Sequence, residues 1–185
     1  QLLRDITTKG TLTRCMDHGD ASPTACLWFA SYKGLHYCYR EYYQPNKLIS
    51  YHRQEIAQLS RTFDGVKFEN YSINIADPSI FQKKSQKYGS FWSVADEYMD
   101  STLPGSPISW LAGDNNEYVT RSRINELLRL DIEVKHPVTG SFGAPKLYFI
   151  KKSREYPFGC DHVLAELRSQ KRVKTDTFNG KSVYT

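Results

Sequence analysis

The 185-residue sequence lacks several features that would place it at once in a large class of proteins. No run approaches the ~20 consecutive apolar residues of a membrane-spanning helix, so we expect no membrane partner. Neither GxxxxGKS nor GxxxxGKT occurs, which excludes a P-loop ATPase site from this chain. The sequence opens with neither a Met nor a targeting segment, so we expect it to belong to a longer protein.

Cysteine is scarce and shows no metal-binding spacing. The four cysteines are Cys15, Cys26, Cys38 and Cys160, and none of them forms a CxxC pair. Three of them lie within or beside apolar runs, which favours reduced, buried thiols over a disulfide or a zinc site.

The residues that are present indicate a folded domain that could bind an anionic partner. Hydrophobic residues make up 39% and aromatic residues 14% of the chain, which is a globular rather than a disordered composition. A chain of this length buries roughly 70% of its unfolded surface, so a single domain over residues 1–185 needs no disulfide to fold. The net charge of +5 permits a phosphate-backbone partner without requiring one.

The first part of the chain predicts three antiparallel strands. Residues 11–18, 25–31 and 35–43 combine apolar and aromatic side chains, and the turn signals GDASP and SYKG separate them. Strands joined by such short turns form an antiparallel meander.

The spacing of apolar residues then changes to that of a helix. One face of an amphipathic helix is predicted by residues three or four positions apart, namely Ile49, His52, Ile56, Leu59 and Phe63. Short strands are expected over 71–77 and 107–113, and a hairpin-like pair with a glycine-rich tip over 131–152.

Two more helices complete the pattern. They are expected over residues 119–130 and 160–170, the first with Ile124, Leu127 and Leu128 on its buried face. A meander followed by helical crossovers predicts an α/β fold with a mixed sheet.

Two aspartates follow strands that we expect to be neighbours. Asp17 ends the first strand and Asp77 ends the strand over 71–77. The intervening helix allows these strands to lie side by side and parallel, which would bring both carboxylates to the edge where open α/β sheets place their sites. Asp20 is a substitute third ligand, a water-mediated ligand or a turn-stabilising residue. His18 is expected to be an ordinary polar turn residue.

Five segments, taken in order, resemble the C-terminal nuclease domain of tailed-bacteriophage terminase large subunits, which are DNA-packaging motor proteins. They are MDHGDASPTACLWF, REYYQP, INIADPSIF, WLAGDNNEYVTRSRINELL and CDHVLAELRSQ. The resemblance implies an RNase H-like mixed sheet, with a three-strand antiparallel meander plus parallel strands, flanking helices and a β-hairpin flap. It also implies that residues 1–185 are one nuclease domain, excised from a longer chain with an upstream ATPase domain.

The resemblance further implies an endonuclease that cleaves double-stranded viral DNA during genome packaging, by two-metal-ion phosphodiester hydrolysis. In that family a first-strand Asp and an acid ending the strand after the first helix bind metal, and here these are Asp17 and Asp77. Two Mg²⁺ or Mn²⁺ ions about 3.5–4 Å apart would act there, and such hard cations take oxygen ligands. The family's third acid opens a later helix in an Asp-Ala-Leu-Arg-Tyr stretch, and no such stretch occurs before Thr185.

The same resemblance implies the partners and the location. Beyond double-stranded DNA, they are the ATPase domain, the portal and the small terminase subunit, in the host bacterial cytoplasm. Phosphate contacts, rather than base contacts, would suffice for cleavage without sequence preference. The candidate DNA contacts are Lys83, Lys84, Lys87, Arg121, Arg123, Lys151 and Lys152.

Glu41 is a further candidate on the third strand. It shares one face with Tyr37, Tyr39 and Tyr43, because side chains alternate along a strand. We expect Glu41 either to pair with a basic residue such as Arg14 or to lie behind the metal ligands.

Three alternatives remain at the level of the sequence. One is an RNase H-like resolvase or transposase core with the same metals and a preference for branched or specific DNA. A second is an actin-like or sugar-kinase-like nucleotide-binding half, for which GSFGAP is the only glycine-rich candidate. A third is a non-catalytic DNA-binding or motor-docking domain, which the missing third acid favours.

Overall fold

The structure is a computed structural model and describes residues 1–19, 21–83, 85–87, 90–169, 174–178 and 181–184. The helices are α1 (Leu2–Lys9), α2 (Ile49–Leu59), α3 (Val94–Met99), α4 (Glu117–Leu128) and α5 (Asp161–Ser169), with a 3₁₀ helix over Pro78–Phe81. The strands are β1 (Thr11–Asp17), β2 (Thr24–Tyr32), β3 (Leu35–Gln44), β4 (Tyr71–Ala76), β5 (Ser85–Lys87), β6 (Ser90–Trp92), β7 (Leu111–Ala112), β8 (Asp131–Lys135), β9 (Phe142–Ala144), β10 (Leu147–Phe149), β11 (Lys174–Phe178) and β12 (Lys181–Tyr184).

A six-stranded mixed sheet carries the fold, in the order β10-β3-β2-β1-β4-β7. The predicted meander is confirmed, because β2 pairs antiparallel with both β1 and β3. Lys33 and Gly34 close the β2–β3 hairpin with φ values of 52° and 75°. Two positive φ angles in succession define the type I′ turn, whose twist matches that of the flanking strands.

The second half of the sheet is parallel, as predicted. After α2 the chain enters β4, which lies parallel to β1, and β7 then lies parallel to β4. On the opposite edge β10 lies parallel to β3. This parallel β4 is what the change from strand to helix periodicity after the meander predicts.

One face of the sheet buries the core. Leu12 and Met16 of β1 and Trp28 of β2 pack in one apolar cluster with Ile56 of α2 and Tyr98 of α3. The alternation of buried and exposed residues along β1 sets this face, since successive side chains point to opposite sides of a strand. None of the helices in the described segments has the length and apolar character needed to cross a membrane.

Several sequence predictions of detail are wrong. Phe63 lies beyond α2 and is 45% exposed, so it does not continue the buried face of that helix. Ile124 and Leu128 of α4 are 37% and 38% exposed, because α4 packs only lightly, beside β10, and buries no residue. The described residues therefore cover the predicted buried face of α4 only in part.

The hairpin over 131–152 is confirmed only in its first part. β8 and β9 pair antiparallel around the tip and form the predicted flap. The chain then leaves the hairpin, and β10 joins the main sheet. The described cysteines are all free; Cys26, Cys38 and Cys160 are buried and Cys15 is partly buried.

A buried ion pair joins β3 to the segment that leads into β4. Arg40 Nη1 lies 3.0 Å from Glu69 Oε2, and both residues are buried. Tyr39 donates its hydroxyl to the same carboxylate at 2.9 Å, and Tyr71 donates a second hydroxyl to it. These hydrogen bonds compensate the desolvation of the carboxylate, which would otherwise make a buried charge unfavourable.

Replacing Glu69 by Ala should lower the free energy of unfolding by about 3–5 kcal/mol, because it leaves the Arg40 guanidinium buried without its charge partner. Urea unfolding measures this loss. Glu126→Ala, on the exposed surface of α4, is the control and should change stability by no more than about 0.5 kcal/mol. Equal effects of the two substitutions would contradict the assignment.

His52 should make the stability of the domain depend on pH. Burial, with a smaller contribution from nearby His18, lowers the pKa of His52 to about 4. The unfolded histidine titrates near 6.5, so the stabilising effect is complete above that pH and is lost as the pH falls towards 4. Between pH 7 and pH 5 the domain should lose about 2 kcal/mol of unfolding free energy through this group. Urea unfolding of His52→Gln should lack this part of the slope; an identical slope would contradict the assignment.

Candidate functional site

Asp17 and Asp77 leave two neighbouring parallel strands at the same level. Met16 of β1 is the register partner of Ala76 of β4, and the Asp77 backbone N–H donates to the Met16 carbonyl at 3.0 Å. The structure therefore brings both aspartates to one edge of the sheet, where sequence analysis placed them. Asp17 is exposed and Asp77 is half-buried.

Local hydrogen bonds orient Asp77. It caps the 3₁₀ helix Pro78–Phe81, and its Oδ1 accepts the Ser79 backbone N–H at 2.8 Å. Hydrogen bonds from Ser79, and a further one from the Asn115 side chain, hold the pKa of Asp77 below its usual value. The carboxylate is thus ionised and has a fixed orientation at neutral pH.

A third strand brings polar groups to the same edge. Ala112 of β7 is the partner of Ala76, and the Gly113 N–H donates to the Ala76 carbonyl at 2.9 Å. A Cβ at Gly113 would lie 3.0 Å from the side chain of Ile75, so a larger residue would crowd this crossing. The chain next presents Asp114 and Asn115, and Asn115 contacts Asp77.

Sequence analysis missed this β7 contribution. WLAGDNN contains an acid and two amides directly after the strand predicted over 107–113. That is the same signal, a polar residue at the end of a parallel strand, that identified Asp17 and Asp77. Asp114 Oδ1 accepts the Asn116 N–H at 2.9 Å and so helps to form the turn into α4.

Glu41 caps a helix. Its Oε1 accepts the His162 backbone N–H at 2.7 Å, and its Oε2 accepts the Val163 N–H at 3.0 Å. The suggested pairing with Arg14 is wrong, because Arg14 lies on the opposite face of the sheet and donates to Asn74 at 2.8 Å. A role for Glu41 behind the metal ligands stays a prediction.

The start of α5 is fixed on the same face of the sheet as Asp17. Asp17, Ala25 and Tyr43 are successive cross-strand partners, and such partners share a face. The Tyr43 hydroxyl donates to Glu166 Oε1 of α5 at 3.1 Å. Glu166 was not predicted, because CDHVLAELRSQ differs from the Asp-Ala-Leu-Arg-Tyr pattern. The segment nevertheless contains this acid directly before Leu-Arg.

The predicted DNA contacts lie in several separate segments of the chain. Lys83 follows the 3₁₀ helix that Asp77 caps, Arg123 lies on α4, and Lys151 and Lys152 lie in the loop before α5. All four are exposed.

The other candidates lie on α4, at the end of β5 or outside the described residues. Arg121 forms an ion pair with Glu117 on the surface of α4. Lys87 ends β5, whereas Lys84 and the candidate ligand Asp20 lie outside the described residues.

The donor chemistry at this edge fits a hard divalent cation. Asp17 and Asp77 offer carboxylate oxygens at one sheet edge, and the Asn115 side chain donates a hydrogen bond to Asp77. Within the described segments, no three Asp, Glu, His or Cys side chains come close enough to hold an ion together. Mg²⁺ is compatible with such a set, because in proteins it commonly uses one or two carboxylates together with waters and substrate phosphates.

Comparisons with known proteins identify the fold. No family model and no curated protein sequence matches the chain. Among solved structures, it is similar to the large terminase nuclease domain of P22, with 15% identity and a TM-score of 0.51 over 95% of this chain and 73% of that one. The predicted mixed-sheet fold is confirmed, and the resemblance to terminase nuclease domains holds at the level of the fold.

The large terminase of a thermophilic bacteriophage also matches, in two crystal forms. The identities are 14% and 20%, the TM-scores 0.42 and 0.33, and the matches cover 60% and 38% of this chain. The matches cover only 24% and 18% of those longer chains.

Replacing Glu41 by Ala should loosen α5 specifically, because two backbone N–H groups at the start of the helix lose their acceptor. We expect a loss of about 1 kcal/mol in unfolding free energy and faster amide hydrogen exchange in α5 than in α2. Glu41→Gln keeps one acceptor oxygen and should restore part of the protection. Uniform acceleration across both helices would contradict the capping role.

Proposed function

We propose that this domain is a divalent-metal-dependent endonuclease that cleaves double-stranded viral DNA during genome packaging. The single observation that supports it most strongly is the β1–β4 register, which brings Asp17 and Asp77 to one sheet edge. The fold likeness to the large terminase nuclease domain of P22 supports a nuclease role for this fold. We also propose that the domain acts in the host bacterial cytoplasm, together with an upstream ATPase domain, the portal and the small terminase subunit.

Asp17 and Asp77 would hold two Mg²⁺ or Mn²⁺ ions. When bound, these ions supply an activated water and neutralise charge at the leaving oxygen of the phosphodiester. Asp77 is suited to ligation, because Ser79 fixes one carboxylate oxygen and keeps the group ionised. Asn115 supports Asp77 from the β7 turn and limits its rotation.

Glu166 is our candidate for the third carboxylate. It is carried by α5 on the face of the sheet that also presents Asp17, and Tyr43 orients it. Its partner Tyr43 is on β3, which β2 separates from β1 in the sheet. Asp20, which lies outside the described residues, is the other candidate.

Phosphate contacts complete the proposal. Lys83 follows the 3₁₀ helix that Asp77 caps, Arg123 lies on α4, and Lys151 and Lys152 precede α5. Together with Lys84, Lys87 and Arg121 they would neutralise the DNA backbone without reading its sequence. Salt should therefore weaken DNA binding strongly.

A non-catalytic DNA-binding domain is the second candidate. The observation in its favour is that the described residues hold no cluster of three potential metal ligands. The nucleotide-binding alternative has less support, because GSFGAP runs from the flap tip through β9 and does not join a strand to a helix.

The proposal predicts that the purified domain nicks supercoiled plasmid in the presence of Mn²⁺. Asp17→Asn and Asp77→Asn should each reduce the rate by about 100-fold or more, since even residues behind a metal ligand commonly contribute 10–100-fold. Asp5→Asn, on α1, is the matched control and should retain the activity. Gel separation of nicked from supercoiled plasmid measures all four proteins.

Calorimetric titration with Mn²⁺ separates the two candidate functions. Binding of Mn²⁺ that requires Asp17 and Asp77, together with cleavage, supports the endonuclease. Protein that binds DNA but neither binds Mn²⁺ nor cleaves plasmid would contradict it and favour the non-catalytic domain.

A further inference from the structure

The residue that directly follows Asp17 is held by buried side chains. His18 Nδ1 lies 3.2 Å from the Thr24 hydroxyl and 3.3 Å from the Tyr98 hydroxyl. Thr24 and Tyr98 are both fully buried, and they come from β2 and α3. His18 is therefore not the ordinary polar turn residue that the sequence suggested.

The same threonine also fixes the next peptide. Thr24 Oγ1 lies 3.3 Å from the Gly19 nitrogen and 3.2 Å from the Gly19 carbonyl oxygen. A single buried hydroxyl thus contacts both residues that follow Asp17. The β1–β2 ladder ends with the pair Asp17 and Ala25, so these contacts hold the chain where the ladder stops.

A fourth side chain, that of His52, packs against His18. The ring of fully buried His52 on α2 meets the His18 ring edge-on, with centroids 5.7 Å apart and planes at 89°. Tyr98 meets His18 in the same way at 5.8 Å and 87°. We call His18, Thr24, His52 and Tyr98 the His18 clamp. Edge-to-face ring packing resists rotation of the imidazole as well as its displacement.

Forming this turn with buried polar side chains carries a desolvation cost. Buried hydroxyl and imidazole groups lose hydration, and an apolar contact would be simpler to accommodate. Polar networks of this kind favour one conformation of the chain over similar ones, because each displaced group leaves a partner unsatisfied. The segment that they fix here is the backbone next to the exposed Asp17.

We propose that the His18 clamp is a positioning device for Asp17. It holds the end of β1 so that the Asp17 carboxylate stays level with Asp77, and its residues touch neither metal nor DNA. The inference that this positioning serves metal binding rests on the proposed function. Placement matters there, since a displacement of about 1 Å in a metal or catalytic site can cost 10²-fold.

Three near-isosteric variants test the clamp. Thr24→Val and Tyr98→Phe remove the hydroxyls that contact His18. Tyr156→Phe is the matched control, because it removes a buried hydroxyl that donates to the Tyr39 carbonyl at 2.6 Å rather than to a clamp residue. Urea unfolding of each variant shows whether the stability losses are comparable.

The first readout needs no metal. Amide hydrogen exchange at Asp77 reports opening of its bond to the Met16 carbonyl, which lies directly before Asp17. We expect exchange there to be about 10-fold faster in Thr24→Val and Tyr98→Phe, after correction for global stability, and unchanged in Tyr156→Phe. Equal exchange in all three variants would overturn the clamp.

The second readout is the affinity for Mn²⁺, measured by calorimetry and by the Mn²⁺ concentration that gives half-maximal nicking. The clamp variants should bind Mn²⁺ about 10–100-fold more weakly than Tyr156→Phe, with the nicking rate recovering at saturating Mn²⁺. A purely structural role would lower the maximal rate and leave the half-saturating concentration unchanged, which would overturn the proposal. If wild-type protein binds no Mn²⁺, the proposed function fails, and the exchange readout still decides whether the clamp holds the end of β1.

Discussion

The parallel pairing of β1 with β4 is the constraint on which the candidate site depends. Its last hydrogen bond joins the Asp77 N–H to the Met16 carbonyl, so the aspartates that follow the two strands sit side by side. A shift of one residue in this register would turn every β4 side chain to the opposite face and carry Asp77 away from Asp17. The buried contacts of β1 and β4 stabilise this register, and the candidate site depends on it.

Buried polar contacts set the register from beneath. Arg14 of β1 donates to its cross-strand partner Asn74 at 2.8 Å and to Ser60 at 2.9 Å, so a slipped β4 would leave a buried guanidinium without this acceptor. The Glu69 carboxylate, bound to Arg40, anchors the chain just before β4 begins. Apolar packing alone would tolerate neighbouring registers more readily, because the hydrophobic effect is not directional.

Sequence patterns predicted the meander, the parallel return of β4, and the placement of Asp17 and Asp77, because strand alternation and helix spacing are local signals. They failed where a residue's role depends on distant partners. Ile124 and Leu128 have helical spacing but are covered only in part by the described residues, and Glu41 caps a helix that lies more than a hundred residues later. His18 became informative only when Thr24, His52 and Tyr98 proved to surround it.

The proposed activity depends on Asp17 and Asp77 together holding a divalent cation. A crystal structure of the domain grown with Mn²⁺, with anomalous diffraction recorded near the manganese edge, is the direct test. We expect an anomalous peak within ligand distance, roughly 2.0–2.6 Å, of carboxylate oxygens from both aspartates. A fully occupied Mn²⁺ peak elsewhere, with both aspartates ordered and no peak between them, would contradict it.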